Sequence, residues 1–529
     1  MTCSGIQHFP AREVVLFEVL PQPTHRGVPV DWWWALSFKV GTRDLSLVLN
    51  FYLHSLPELA VMTDSYCPHM YRLSWKCILL IASIVIPGGS PAHAQFAGGG
   101  QGGGNQGNNL GGIAIDAVGV VTPAFVKETT SRLNRKRQEA LAAEHLPEDV
   151  NVSSPLRKVS LVRLEKMSRE FAEQKRHVPV EMQFLAGLQR IDYVFVYPET
   201  GDIVIAGPAE GFAPNIIGRV LGTSTGRPPL RLDDLIVALR TVPGASLIGC
   251  SIDPTQEGLV RFNDYVKRNS FATTVAVIQQ RFREMAQAMG NQDVSVFGVP
   301  ANSHFATVLV EADYRMKLMS VGLERPKIPK WKSHLELVGS GGNTLQRWWF
   351  TPRYGAFRQS EDGNAFQFSG PRVQLMSQSE QVSASGKRSA AAMQAQSIEK
   401  FARQFTECYE DVAEVSPVFA ELQNIIDLAI LAALFEKEQL PQRVGWSMSL
   451  FLDKDQAPLA TGNSPSKVAS VCNYRKAGSS IVGLVGGGVT ISPNQLLRDV
   501  SFDRQGNREL ESRVRGSAPP AGVKTWWWD

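Results

Sequence analysis

The sequence predicts a mixed fold, α/β and α+β, in which an α/β core is followed by a β-meander, a helical hairpin and C-terminal strands. Three observations predict it. Helix-period and strand-period patterns alternate through residues 113–322, as they do in an α/β core. β-Branched and aromatic runs broken by polar turns fill residues 323–382. Two long helical patterns then stand side by side in residues 389–440, ahead of strand-like runs in residues 441–504.

The N-terminal part is organised differently. Residues 1–69 hold scattered cysteines and prolines, Trp32, Trp33 and Trp34, and little periodicity. Residues 70–94, MYRLSWKCILLIASIVIPGGSPAHA, read as a secretory signal peptide. Arg72 and Lys76 give the basic start, Cys77 to Ile86 the apolar core, Pro87 to Pro91 the exit, and Ala92-His93-Ala94 the small-x-small cleavage signal. Cleavage is expected between Ala94 and Gln95. The unbroken apolar run is ten residues long, about half of the roughly 20 a spanning helix needs, so no stable membrane span is expected after cleavage. Cys77 opens the run instead of following it, which argues against lipid attachment. A signal has to emerge first, so Met70 is the expected start and residues 1–69 are not expected to belong to the natural product. Residues 95–112 are almost entirely Gly, Asn and Gln, a flexible tether with too little apolar surface to order itself.

The 529 residues carry a formal charge of +4, with both signs interspersed and no long block of one sign, so charge suggests no nucleic-acid partner. Three cysteines lie beyond the signal, Cys250, Cys408 and Cys472. An odd number allows at most one internal disulfide, with Cys408 to Cys472 as the pair, or else three small buried hydrophobes.

In chain order, residues 113–121 read as a hairpin or buried strand turning at Asp116, and residues 123–143 as a charged helix. Ser154-Pro155 opens a further helix whose Leu156, Val159, Leu164, Met167 and Phe171 fall on one face. Residues 191–197 and 202–206 flank a Pro-Glu-Thr-Gly turn and read as a β-hairpin. Helix 232–240, strand 245–252, a helix capped by Asp253-Pro254 and reaching 268, helix 273–289 and strand 294–299 follow. From Asn302 or Ser303, residues Phe305, Val308, Leu309, Ala312, Met316 and Met319 recur at helical spacing. Residues 347–354, 356–359 and 365–368 read as a meander, and residues 377–388 as a loop. The helical pattern 390–409 presents Ile398, Phe401, Phe405 and Cys408 on one side, the natural antiparallel partner of pattern 417–439. The latter is apolar around most of its circumference, so it is expected to be central to its domain or a contact between copies. Residues 446–452 and 480–491 read as strands, with Gly486, Gly487 and Gly488 marking a sharp turn or close backbone approach, and residues 505–529 as a mobile tail ending in Trp526 to Trp528.

Catalytic candidates are few. The HExxH, P-loop, EF-hand and paired CxxC patterns do not occur, and no metal or cofactor is implied. GTSTG, residues 222–226, fits a nucleophile elbow with Ser224 at its centre, but Arg227-Pro228-Pro229 follows where the elbow needs a helix, so a polar turn explains it as well. GCSID, residues 249–253, ends a strand where α/β folds place ligands. Cys250 or Ser251 is the nucleophile candidate there, beside Asp253, and a capping role accounts for the same letters. His304 and Glu311 are two helical turns apart, with Thr307 and Arg315 near them. That spacing fits a ligand-binding face, or a solvated side carrying Glu311–Arg315 and Asp313–Lys317 pairs. Trp348 and Trp349 point to opposite sides of a regular strand, leaving one to be buried and the other for a sugar ring or for structural packing.

The blocks LRKVSLVRLE, LAGLQRIDYVFVYPETGDIVIAGPAEGF, RLDDLIVALR, CSIDPT, FATVLVEADYRMK and RWWF occur in this order along the chain. Together they resemble an uncharacterised family of secreted proteins known from planctomycete bacteria, a domain of unknown function. The likeness runs from about residue 113 to the glycine triplet at 486–488. It implies export and a start at Met70. It implies no activity, cofactor or catalytic residue.

The sequence therefore leads to an exported protein, periplasmic or associated with the cell envelope, that binds or builds and does not catalyse. The rival expectation is a secreted hydrolase with its site at the strand ends of the α/β core, around Ser224, Cys250, Ser251 and Asp253, with His304 as base. The partner is unknown, and self-association through residues 417–439 is the one contact the pattern offers.

Overall fold

The computed structural model describes residues 34–40, 43–49, 109–127, 131–269, 275–338, 345–383, 385, 387–391, 395–473, 485–500, 502–504, 508–519 and 527–528. The signal-like stretch, its Ala94–Gln95 junction and most of the tether lie outside them. Two compact units divide the chain, residues 1–103 and 104–529. In the first, Trp34–Val40 and Arg43–Leu49 pair as an antiparallel hairpin.

The second unit is built on two sheets, and its fold is the mixed α/β type. The larger has nine strands in the order Arg388–Ala390, Arg372–Val382, Leu345–Arg353, Val485–Ile491, Ile248–Pro254, Asn291–Phe297, Lys467–Ala469, Val120–Lys127 and Asn109–Ile115. Two of its pairings are parallel, Leu345–Arg353 with Val485–Ile491 and Lys467–Ala469 with Val120–Lys127. The smaller, antiparallel sheet runs Phe357–Gln359, Ala365–Phe368, Tyr193–Tyr197, Asp202–Ala209, Ser154–Ser160, Trp527–Trp528. Its centre is the hairpin expected around the Pro-Glu-Thr-Gly turn, where Gly201 takes a positive φ of 67°.

Helix His304–Ser320 lies on strands Ile248–Pro254 and Val485–Ile491, and helix Pro417–Glu438 packs against it. Close contact of that first helix with the sheet requires glycine in the strand beneath. A Cβ at Gly487 would sit 2.6 Å from Asp313 Oδ1 of that helix, while one at Gly488 would meet the neighbouring strand, 2.2 Å from the Cys250 carbonyl oxygen. The close backbone approach holds at Gly487 and Gly488, where it serves packing.

Pro417–Glu438 is the centre of the unit. Every residue from Val418 to Phe435 is buried. With 22 residues it is long and apolar enough to cross a membrane, yet its apolar stretch is wholly enclosed by the chain's own elements. Its one central charge is answered from three sides. Asp427 accepts hydrogen bonds from the Ile191 N–H at 3.0 Å, the Tyr354 hydroxyl at 2.6 Å and Arg372 Nε at 3.4 Å. Burial drives the Asp427 carboxyl upward in pKa, against the pull of Arg372 and Tyr354.

Several expectations are corrected. Ser154-Pro155 begins a strand, Ser154–Ser160, that pairs with Asp202–Ala209, and the helix opens only at Leu161, where Ser160 Oγ accepts the Arg163 N–H at 3.1 Å. The charged helix near 123 starts at Ser131, because Val120–Lys127 continues the Asp116 hairpin. Asp253 and Pro254 end a strand, and Thr255 caps the following helix. The meander strands do not all neighbour one another. Phe357–Gln359 and Ala365–Phe368 join the small sheet, whereas Leu345–Arg353 and Arg372–Val382 pair in the large one. Strand Arg372–Val382 also occupies the start of the expected loop.

The helical hairpin is rearranged as well. Gln396–Glu407 lies on strand Arg372–Val382, and the short helix Tyr409–Val415 packs along the central helix instead. Residues 446–452 contain a helical turn, Ser449–Leu452, because buried Glu165 takes the N–H groups of Leu450 and Phe451 at 2.6 and 3.0 Å. The expected tail contains helix Arg508–Gly516, whose Leu510 is buried beside Phe195 and Ala365, and Trp527 pairs with Val159. Cys250, Cys408 and Cys472 are all free thiols, so no Cys408–Cys472 bridge forms.

Two buried groups act oppositely with pH. His334 sits edge-on to Trp348, ring centroids 4.9 Å apart, and burial pushes its pKa down to about 4. An unfolded chain takes that proton near pH 6.5, so this contribution is complete above 6.5 and lost as pH falls through 4, about 3 kcal/mol in all. Asp313 is raised to about 6 by burial, although Lys317 stands 3.0 Å away. A raised carboxyl has the opposite sign. Its contribution is complete below the ordinary aspartate range and is lost as pH rises through 6. The two offset each other in one window. Replacing His334 by phenylalanine should therefore unmask the second, so that the variant gains stability relative to the parent by about 3 kcal/mol between pH 7 and pH 4 in urea titrations. A pH-independent difference would refute the assignment.

Candidate functional site

The residues that converge come from five elements. The short strands Phe212–Pro214 and Val220–Gly222 are joined by a turn in which Asn215 Oδ1 accepts the N–H groups of Ile217 and Arg219 and Gly218 takes a φ of 81°. This Asx turn delivers Arg219. Helix Leu232–Thr241 supplies Asp234 in its first turn, preceded by Arg231. Ser303 caps helix His304–Ser320 through its bond from Ala306 N, placing His304 first and Glu311 two turns on. The central helix adds Glu421.

Arg219 ties these elements together. One terminal nitrogen donates to both oxygens of Glu311 at 2.8 and 2.7 Å, and the other donates to Glu421. Burial works against the guanidinium charge, but the two carboxylates outweigh it and hold its pKa above the ordinary arginine value. Glu421, buried at the wall of the cleft, is pushed up by burial while Arg219 pulls it down, and the net shift is upward. His304 Nδ1 lies 2.8 Å from Asp234 Oδ2, and Asp234 is buried. Arg231 stands over the face of Phe184, 5.2 Å from its centroid.

These groups, Asp234 excepted, line a cleft of about 300 Å³. Its walls include Arg219, Arg231, His304, Thr307, Glu311 and Glu421, with Phe184, Pro228, Pro229 and Val308 as the apolar part. Among the described residues no group of three or more His, Cys, Asp or Glu side chains is arranged to hold a metal ion.

The sequence candidates divide sharply. His304 and Glu311 line the cleft together, as their spacing allowed. Arg315 does not line it. It pairs with Glu324, Nε to both carboxylate oxygens at 3.1 Å, and stands 3.7 Å from Glu311. The side expected to be solvated is buried, for Glu311, Asp313, Arg315 and Lys317 all lie inside.

Ser224 is exposed in a turn wrapped around a buried carboxylate. Glu210 accepts the N–H groups of Ser224 and Thr225 at 3.1 and 3.0 Å and the Thr225 hydroxyl at 2.6 Å. A Cβ at Gly222 would lie 1.8 Å from Glu210 Oε1, so that glycine serves the same cradle. Cys250 is buried in its strand, and burial pushes its thiol pKa well up. Ser251 is half-buried in the same strand. Asp253 pairs with Arg388 at 2.6 Å; burial would raise its carboxyl, but Arg388 holds it below the ordinary value. Among the described residues, the His304 side chain bonds to Asp234 and to none of Ser224, Cys250 or Ser251. Trp348 is buried, donating its indole N–H to the Ile398 carbonyl oxygen at 3.2 Å, and Trp349 is half-buried.

Arg219, Asp234, Arg231 and Glu421 were not picked out from the sequence. One signal existed for Glu421, a carboxylate that shares a mostly apolar helix with Asp427, where a partner is nearly obligatory.

The structure thus defines a mixed α/β protein with a charged cleft between helices. Residues 250–331 match the model of a family described as a protein of unknown function (DUF1598). The match covers the strand of Cys250, the helix of His304 and Glu311, and the chain to Trp331, but leaves out Arg219, Asp234 and Glu421. No curated protein and no solved structure matches the chain.

Proposed function

We propose that this is an exported protein of the periplasm or cell envelope that binds a small polar ligand in the Arg219 cleft and does not turn it over. One observation carries the binding part. The ionisable side chains of the cleft are engaged with each other, Arg219 with two carboxylates and His304 with Asp234, and none of the serine or cysteine candidates shares a hydrogen bond with His304. Nucleophilic catalysis needs nucleophile and base within about 2.6–3.2 Å. A rigid, paired frame around a small concave space is what recognition needs.

Export rests on residues 70–94 and on the family resemblance of the later blocks, which extends the reading to secreted planctomycete proteins. N-terminal sequencing of the secreted chain tests it: a start at Gln95 supports export with cleavage, and a retained 1–69 segment refutes it. Binding is tested by thermal-shift screening of small metabolites against the parent and a His304→Phe variant. Hits that persist unchanged in the variant would refute the cleft as the site.

The second reading, a secreted hydrolase, is favoured by the His304–Asp234 pair, because a buried carboxylate orienting an imidazole is one way to make a general base. Water would have to be the nucleophile. Loss of hydrolytic activity in His304→Gln, on any ester or glycoside that the parent cleaves, would establish it over simple binding.

A further inference from the structure

We propose that the ligand is a small uncharged polyol, of the size of a single sugar ring, held by its hydroxyl groups in the Arg219 cleft. The inference rests on the binding reading above. Charge decides against the other classes. Arg219 is already paired with Glu311 and Glu421, so its charge is answered within the protein. Among the residues that line the cleft, two carboxylates, Glu311 and Glu421, stand against the two guanidiniums of Arg219 and Arg231. An anionic ligand would have to draw Arg219 away from the two carboxylates it already answers. A cationic ligand would have to displace Arg219 from partners that hold it from two sides, and Glu311 would then be left to Arg315 at 3.7 Å.

What remains on offer is hydrogen-bonding capacity without net charge to neutralise. His304 uses Nδ1 on Asp234, and its Nε2 has no protein partner among the described residues. Arg231 retains donors beyond its 3.8 Å approach to Asp233, and carboxylate oxygens accept more than one hydrogen bond. Hydroxyl groups suit such a mixture because each both donates and accepts. Pro228, Pro229 and Val308 give the C–H faces of a ring an apolar surface. The volume, about 300 Å³, is at the small end of ligand sites, enough for one ring and not for a chain.

The test is calorimetric titration of the full chain with matched ligands: glucose and myo-inositol as neutral polyols, glucuronate as the anion and glucosamine as the cation. The expected result is binding of a neutral polyol at least tenfold tighter than of its charged analogues, weakened at least tenfold by His304→Phe. His304→Gln, which restores a hydrogen-bonding end, should recover part of the loss, and both variants are checked for parental melting behaviour. Glucuronate or glucosamine binding as tightly as glucose, with the same dependence on His304, overturns the polyol assignment and leaves the binding cleft standing. If ligand-observed NMR finds no small molecule of any charge class whose binding depends on His304, the binding reading falls and this inference with it.

Discussion

Replacing Asp427 by alanine should remove about 3–5 kcal/mol of folding free energy, the range found when one partner of a buried ion pair is deleted. The carboxylate is fully buried and is the meeting point of three segments. Its loss strands the Ile191 N–H, the Tyr354 hydroxyl and the Arg372 guanidinium together. Arg372 keeps the Ile191 carbonyl oxygen at 3.1 Å and Asp192 at 2.9 Å, so the damage has a ceiling. Asp427→Asn, which keeps an acceptor oxygen but not the charge, should fall between parent and alanine variant. Urea unfolding followed by tryptophan fluorescence checks this. A midpoint shift equivalent to less than about 1 kcal/mol in the alanine variant would mean that the network is incidental to stability.

How far such features were legible follows from how local they are. The hairpin Tyr193–Tyr197 and Asp202–Ala209 announces itself because period-two alternation and its turn lie within one short window. Ser154–Ser160 did not. A Ser-Pro start and suitably spaced apolar residues satisfy a helix equally well, and strand pairing with Asp202–Ala209 decides the matter from more than 40 residues away, as the Ser160–Asp202 bond across 42 positions shows. Pairing of Leu345–Arg353 with Val485–Ile491 is more remote still, and nothing in the meander-like spacing betrays that two of its strands leave for another sheet.

The cleft obeys the same rule. His304 and Glu311 share a helix, so helical geometry alone places them on one side. Their partners are set by tertiary folding: Asp234 is 70 positions from His304, Arg219 is 92 from Glu311, and Glu421 is 202 from Arg219. The lone acids of the central helix were the readable trace of this. An apolar helix that retains Glu421 and Asp427 has to satisfy both inside the protein, and it does so in two different polar clusters.

Replacing Arg219 by methionine should be as damaging as the loss of Asp427, about 3–5 kcal/mol near neutral pH, but with a pH signature of its own. Methionine fills most of the volume, so the effect isolates the charge. Glu311 retains Arg315 at 3.7 Å, whereas buried Glu421 loses the one cation that donates to it among the described residues. Burial already raises the Glu421 carboxyl above its ordinary value, and Arg219 is the largest influence opposing that rise. Without Arg219 the carboxyl moves further up and takes a proton sooner. A group raised in the folded state contributes stability below its unfolded pKa and loses it as pH rises through the folded one. The deficit of Arg219→Met should therefore be greatest at pH 7.5 and narrow as the pH is lowered towards 5. Adding Glu421→Gln, which removes the uncompensated charge, should return at least half of the lost stability, a coupling that denaturation of the single and double variants measures directly. A deficit unchanged between pH 7.5 and 5, together with no recovery in the double variant, would show that Arg219 acts by packing and not as the cation that holds the cleft closed around its carboxylates.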